Sequence, residues 1–475
     1  MFAAAMKSGL ILFSIVLLSA LGFLSSTGCA NIIPPTGGPR DSLPPVLVTA
    51  NPADSAVNFR GNRIVLTFNE FIDLQEVQNN LLFTPTMENN PVIEARLRTL
   101  TLRLRDSLEP NTTYTFNFGN AVRDINEGNI LRNFTYTFST GPVLDSLELR
   151  GRVLLAENGR IDSTLTILLH TDFTDSAVAN NRPRYVTRVD GQGRFVFRNL
   201  PADTFAVYAL GEAGFSRRYL NKSQLFAFSD SLAVTGGGAT PEVTLFAYRE
   251  TDPNTTGAPG ARPVAGARPA ANNRITFTPS TSTGPQDLLD SFTLRFDRPL
   301  RRFDSTRVAL ARDSAFTPVT DYRLRLDTSR TVLSLTHNWA ERTEYHLLLD
   351  STFAEDTLGR RLLRSDTVSF STRAMADYGR LDLRVKNVDA ARNPVVQFVQ
   401  NDRVVLSAPI GSGRFVSPLF LPGEYELRIL YDENGNRQWD PGRFFGGRKQ
   451  PEKIVPIERR ITVKAAWGNE FEVSL

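Results

Sequence analysis

The chain is 475 residues long, with 54 lysines and arginines against 50 aspartates and glutamates, a net charge of +4, and one cysteine. Basic side chains are dispersed among acidic ones rather than gathered in runs, which argues against a nucleic-acid surface. A lone cysteine leaves no partner for an intrachain disulfide. Each domain must therefore be held by its own apolar core, and the length suffices for about three to five domains of ~100 residues.

Taken in chain order, the first element is an apolar run from Leu10 to Leu24, preceded by Lys7 and followed by Ser25-Ser26-Thr27-Gly28-Cys29. A single positive charge, a short apolar stretch and small residues are the three parts of a secretory signal, and the run falls short of the roughly 20 residues a membrane span needs. Met6 is an alternative start that places Lys7 directly before the run. Cleavage behind Thr27 and Gly28 resembles the bacterial lipoprotein signal, although Ser26 stands where that family usually has leucine. The resemblance implies a signal peptide over residues 1–28 and lipid attachment at Cys29. Residues 29–43, rich in proline, then read as a lipidated tether.

Beyond the tether the pattern is period two. Ile64, Leu66 and Phe68 alternate with Val65 and Thr67; Tyr114, Phe116 and Phe118 alternate with Thr115 and Asn117; Phe134, Tyr136 and Phe138 alternate with Thr135 and Thr137. Alternation of this kind predicts half-buried strands, separated here by turns such as Arg60-Gly61-Asn62 and Glu127-Gly128-Asn129. Helical periodicity is confined to a short stretch between Leu74 and Leu82. The chain reads as all-β.

The pattern also repeats. Leu66-Thr67-Phe68-Asn69-Glu70 returns as Leu294-Arg295-Phe296-Asp297-Arg298, and Phe138-Ser139-Thr140 as Phe370-Ser371-Thr372. A different unit follows each copy, marked by Gly191-Gln192-Gly193-Arg194-Phe195 and Gly411-Ser412-Gly413-Arg414-Phe415, each followed by a Leu-Pro turn. A duplicated pair, A–B–A–B, accounts for both offsets. The expected boundaries are 44–141, 145–250, 274–374 and 378–475, with a Pro/Gly/Ala-rich linker over 251–273.

Residues Asn51-Pro52-Ala53-Asp54, Ile64–Glu70, Leu108–Tyr114 and Phe138-Ser139-Thr140 resemble a bacterial Ig-like domain of the S-layer type. Gly193-Arg194-Phe195-Val196-Phe197 before Leu200-Pro201 resembles the transthyretin-like or carboxypeptidase-regulatory sandwich; in the second copy Ser417 replaces the second aromatic. The whole resembles Ig-like-domain lipoproteins of Bacteroidota. That resemblance implies a tandem array of four β-sandwich domains, Ig-like and transthyretin-like alternating, in a semi-rigid file. It implies a non-enzymatic, lipid-anchored envelope protein acting as a structural or protein-interaction module at the outer membrane. The lack of acidic residues over Ala30–Pro34 favours the periplasmic face. The partners so implied are the membrane, through the lipid, and another envelope protein or a polysaccharide.

Ligand chemistry concentrates in one loop. Asp432, Asn434, Asn436 and Asp440 match positions 1, 3, 5 and 9 of a calcium loop, but Gly435 falls at position 4 and Arg443 stands where a bidentate glutamate belongs. The same residues suit an Asx-turn hairpin. Calcium is the one cofactor this pattern points to. Trp439, Phe444 and Phe445 beside it suit either glycan stacking, the alternative function of a carbohydrate-binding lipoprotein, or packing on the sandwich. Trp339 and Trp467 lie next to strand patterns and are expected in or near a core. His170, His337 and His346 are too dispersed for zinc, and His346 alternates as a solvent-facing strand residue. No P-loop, nucleophile elbow or dinucleotide fingerprint occurs, so no enzyme is expected. Asp followed by Ser or Thr and then a small or aliphatic residue recurs about a dozen times. The triplets at Ser55, Ser107, Ser146, Ser314 and Thr367 resemble O-glycosylation acceptors of exported Bacteroidota proteins, and equally suit turn chemistry.

Overall fold

Nearly every alternating segment becomes a paired strand in the computed structural model, which describes residues 14–15, 41–211, 217–238, 242–250 and 274–475. The expected signal peptide apart from two residues, Cys29, the expected tether before Asp41 and the expected linker 251–273 lie outside those residues. The chain divides into two compact units, residues 1–83 with 87–144 and residues 84–86 with 145–475.

In the first unit, strands Leu47–Asn51, Arg63–Phe68, Thr99–Arg103 and Val92–Arg96 form one antiparallel sheet in that order. Thr113–Asn117 and Thr135–Ser139 pair in the facing sheet, with Leu82–Thr84 at its other edge. Ile64, Leu66, Phe68, Leu100 and Leu102 meet Tyr114, Phe116, Tyr136 and Phe138 between the sheets, all buried. Those are the apolar members of the alternation, as a pleated strand with one wet face requires. Strand Ile72–Leu74 pairs with Val122–Asp124 at one end of the sandwich. The helical stretch shrinks to one turn, Val77–Asn80.

Residues 277–371 repeat this sandwich within the second unit. Phe277–Pro279, Phe292–Phe296, Val332–Thr336 and Arg323–Leu326 take the same order, Thr317–Val319, Val308–Arg312, Glu344–Leu349 and Asp366–Ser371 form the facing sheet in that order, and Leu300–Phe303 pairs with Ala354–Asp356. The repeated residues also make the same bonds. The Tyr114 hydroxyl accepts the Glu109 N–H at 2.9 Å, and Tyr345 accepts that of Ala340 at 3.2 Å. Thr140 Oγ1 donates to the Glu109 carbonyl and Thr372 Oγ1 to that of Ala340, each at 2.6 Å.

The other two sandwiches, at 147–247 and 379–474, share a second topology. A three-stranded sheet orders Arg194–Leu200, Leu147–Leu155 and Val243–Ala247 in one copy, and Arg414–Phe420, Gly379–Lys386 and Gly468–Ser474 in the other, the last pair parallel in both. Gly193 and Gly413 explain the repeated Gly-Arg-Phe. Each sits at positive φ, 77° and 72°, and an added Cβ would lie 2.9 Å from the Val153 carbonyl oxygen or 2.8 Å from that of Val385. Only glycine takes that turn without strain.

Two expectations are corrected. Trp467 is 66% exposed, lying under Lys464 rather than in a core, whereas Trp339 is buried. His346 is buried, stacked on Phe316 with Nδ1 2.8 Å from Ser369 Oγ, because its side of the sheet is covered by that ring.

Candidate functional site: the long hairpin of the last sandwich

Between strands Gly423–Tyr431 and Ile454–Val463 the chain makes an excursion over residues 432–453 that contains every proposed ligand of the C-terminal region. Its root is built on Asp432. This carboxylate, 1% exposed, accepts the N–H groups of Gly435 and Arg437, both at 2.7 Å, and so winds the chain into a tight turn. Asn434 Oδ1 accepts the Asn436 N–H and Asn436 Oδ1 that of Gln438, while both amide groups donate to Asp440 Oδ2 at 2.5 and 2.9 Å. The four residues of the calcium pattern are thus brought together, but their oxygens are turned onto donors of the loop itself. Among the described residues no group of three or more His, Cys, Asp or Glu side chains is arranged to hold a metal ion.

Sequence reasoning missed Glu452, which closes the root. It is 1% exposed and accepts the N–H groups of Glu433 at 2.8 Å and Asp440 at 3.0 Å. Burial raises its carboxyl above the ordinary range, with the nearby Asp440 and Asp432 charges adding to the rise and the two N–H groups opposing it. Trp439 rests on the apolar cluster of Val395, Leu430 and Ile454, and its indole N–H donates to the Glu452 carbonyl at 2.8 Å.

The tip of the hairpin leaves its own sandwich and enters the one at 147–247. Phe444 is 0% exposed, with ring centroids 5.1 Å from Phe226, 5.2 Å from Phe228 and 5.7 Å from Tyr208. Its N–H donates to Glu250 Oε1 at 2.9 Å, a carboxylate that is itself buried and lies 3.8 Å from Lys222 Nζ. Burial, reinforced by the Glu250 charge, pushes the phenols of Tyr219 and Tyr248 up, so both stay neutral beside it. Phe445 stacks on Tyr219. Arg448 lies over the Phe444 ring and its Nε donates to Asp175 at 2.8 Å, while Gln450 Nε2 donates to the Phe228 carbonyl and Asp230.

Nearer the root the two sandwiches meet backbone to backbone. The Ile454 N–H donates to the Ala156 carbonyl at 3.3 Å, and Arg160 bridges Asp402 at 2.5 Å and Glu426 at 3.5 Å. Gly159, at φ 68°, is so close that a Cβ there would lie 2.5 Å from Pro456 Cδ. An open groove of about 570 Å³ runs beside the seam, with Asp230, Glu242, Phe246, Gln450 and Lys453 among its walls.

Trp439, Phe444 and Phe445 therefore do not form one exposed stacking surface. Phe444 has no free face, Phe445 is turned onto Tyr219, and Trp439 belongs to a separate cluster. The last sandwich also docks on the second, a contact that the linear order of the modules does not reveal. Glu250, Tyr219, Tyr248 and Asp175 carried no local signal, because their roles depend on a hairpin some 200 residues later in the chain. Ser55, Ser107, Ser146, Ser314 and Thr367 are all exposed. Of their aspartates, Asp313 caps a local turn by accepting the Ala315 N–H, while Asp54 accepts the N–H of the distant Thr137.

Residues 41–140 match the bacterial Ig-like domain family. No curated protein matches the chain. Solved structures resemble it only distantly. Native alpha-2-macroglobulin from Escherichia coli, spanning domains MG0-NIE-MG1, is 11% identical over 41% of this chain and 79% of that one, with a TM-score of 0.20. The N-terminal part of the bacterial S-layer protein SbsC is 18% identical over 43% and 44%, with a TM-score of 0.16, so the chain covers less than half of that fragment. BcpA, the major pilin subunit of Bacillus cereus, is 8% identical over 69% and 99%, with a TM-score of 0.16. Likeness at this level carries nothing about activity or partners.

Proposed function

We propose that the protein is a non-enzymatic envelope lipoprotein, anchored through Cys29 to the periplasmic face of the outer membrane, in which β-sandwiches serve as a structural or protein-interaction scaffold. The observation that carries the scaffold reading is the fate of the long hairpin. Its carboxylates, amides and aromatic rings, the groups best suited to a ligand, are consumed in closing its root and fastening one sandwich to another. A carbohydrate-binding role would have to use what remains of Trp439 and Phe445, both half-buried. The anchor rests on the sequence around Cys29, and the exposed hydroxyls at Ser55, Ser107, Ser146, Ser314 and Thr367 are proposed as glycan sites on the same footing.

Growth with radiolabelled palmitate tests the anchor. The wild-type chain should take up label and sediment with outer membranes, and Cys29→Ala should lose both properties. Label that persists in Cys29→Ala, or a wild-type chain that stays soluble, would contradict the reading. Intact mass of the purified chain then decides the glycans: a mass equal to residues 29–475 plus lipid excludes them.

A further inference from the structure

The end of the first sandwich from which the chain leads back toward Cys29 carries four exposed apolar side chains. Val46 is 57% exposed, Phe71 43%, Leu97 65% and Ile125 58%. They are neighbours through the backbone. The Asn69 N–H donates to the Val46 carbonyl, Ile72 to Leu97 and Ile125 to Phe71, at 3.0, 2.9 and 3.1 Å. Leu97 sits at φ 55°, at a hairpin tip where glycine or asparagine would be unstrained. The turn itself sets this backbone, since Arg330 takes φ 58° at the corresponding tip of the duplicated sandwich, so what local turn chemistry does not account for is the exposed leucine side chain.

The duplicated sandwich supplies an internal control. There the same three hydrogen bonds run from Asp297 to Thr276, from Leu300 to Arg330 and from Thr357 to Pro299. Threonine, arginine, threonine and proline thus replace the four apolar residues in an otherwise equivalent frame. One exposed apolar side chain, Leu358, stands nearby in that copy. The apolar tip belongs to the copy adjoining the tether.

Its position follows from the chain. Asn129, four residues beyond Ile125, donates to the Asp41 carbonyl at 3.1 Å, so the tether leaves the domain at this tip. Cys29 precedes Asp41 by twelve residues, which reach at most about 40 Å when fully extended. Arg98 lies over the Phe71 ring, and Asp41, Glu70, Asp124 and Glu127 cluster at the same end, close enough to raise the Glu70 carboxyl after burial has done so. Exposed Phe, Leu, Ile and Val beside a short lipid tether suit the headgroup–acyl boundary, and the acids disfavour strongly anionic lipid.

We propose that this tip, centred on Phe71, Leu97 and Ile125, docks on the bilayer surface and sets the orientation of the first sandwich above it. The proposal rests on the lipid-anchor reading for its geometry, so its test removes the lipid. The mature chain carrying Cys29→Ser is floated with vesicles of phosphatidylethanolamine and phosphatidylcholine, against the same chain with Phe71→Ser, Leu97→Asn and Ile125→Ser. The parent should co-float, and the bound fraction of the triple variant should fall by about tenfold or more. Leu97→Asn removes the strained leucine, so the variant should melt no lower than the parent, which separates lost binding from lost folding. A parent that does not float, equal binding by both chains, binding only to phosphatidylglycerol-rich vesicles, or a parent dimer that the triple variant abolishes would each overturn the proposal. Palmitate labelling of Cys29 is read separately, so either result can fail alone.

Discussion

Asp124 shows what a single buried carboxylate does in this fold. It is 1% exposed, yet it accepts the N–H groups of Glu127 at 2.6 Å, Gly128 at 2.9 Å and Asn129 at 2.7 Å, folding the loop after strand Val122–Asp124 around itself. Burial alone would raise its carboxyl; the donated N–H groups outweigh burial and hold it below the ordinary range. Asp356 does the same for Leu358 and Arg360 in the duplicated sandwich. Asp124→Asn should cost the first sandwich about 1–3 kcal/mol at neutral pH, since a charged acceptor of several buried donors is lost. A carboxyl lowered in the folded state contributes fully above its unfolded value and loses that contribution as pH falls through the lowered one. Urea unfolding at a series of pH values should therefore show the two proteins converging in acid. A penalty that persists undiminished below the carboxylate range would contradict the charge argument.

The elements explain why one hairpin decides how the second and last sandwiches are joined. Phe444 fills an aromatic pocket completely, whereas Arg448, a third exposed, adds an ion pair at the rim. Their substitutions should separate accordingly. Phe444→Ala should cost about 3–5 kcal/mol by leaving a cavity among Tyr208, Phe226 and Phe228. Arg448→Ala should cost no more than about 1 kcal/mol, as exposed ion pairs do. Denaturant unfolding of the two variants compares them directly, and equal costs would place the fastening in the rim rather than in the ring. The strands themselves were legible in the sequence, because alternation and the repeated Gly-Arg-Phe and Phe-Ser-Thr segments are local patterns with local causes. The loop 432–440 was legible as a cluster of oxygens. The direction in which those oxygens point was not, since it depends on Glu452 and on which backbone N–H groups the turn presents. Phe444 reads from sequence as either a stacking or a packing aromatic; which sandwich it packs on was not legible, because its partners Glu250 and Tyr208 lie some 200 residues earlier in the chain.

For the whole molecule, duplication proves more informative than resemblance. Two copies of each sandwich keep their sheet orders and closing hydrogen bonds, so departures between copies mark where one copy has acquired something the other lacks. The long hairpin is one departure, since its excursion over residues 432–453 carries the plug Phe444. The apolar tip at Phe71, Leu97 and Ile125 is another. The first joins the last sandwich to the second, and the second is proposed to meet the membrane. The scaffold reading depends most on the hairpin being occupied internally. Hydrogen–deuterium exchange over residues 440–454 of the mature chain measures that directly, with calcium and with a mixed glycan pool each added and withheld. The Phe444 amide, donated to buried Glu250, and its neighbours should exchange slowly, at rates unchanged by either addition. Rapid exchange of a free loop, or protection that appears only with calcium or glycan, would show that the hairpin is a ligand site and not the fastening of the scaffold.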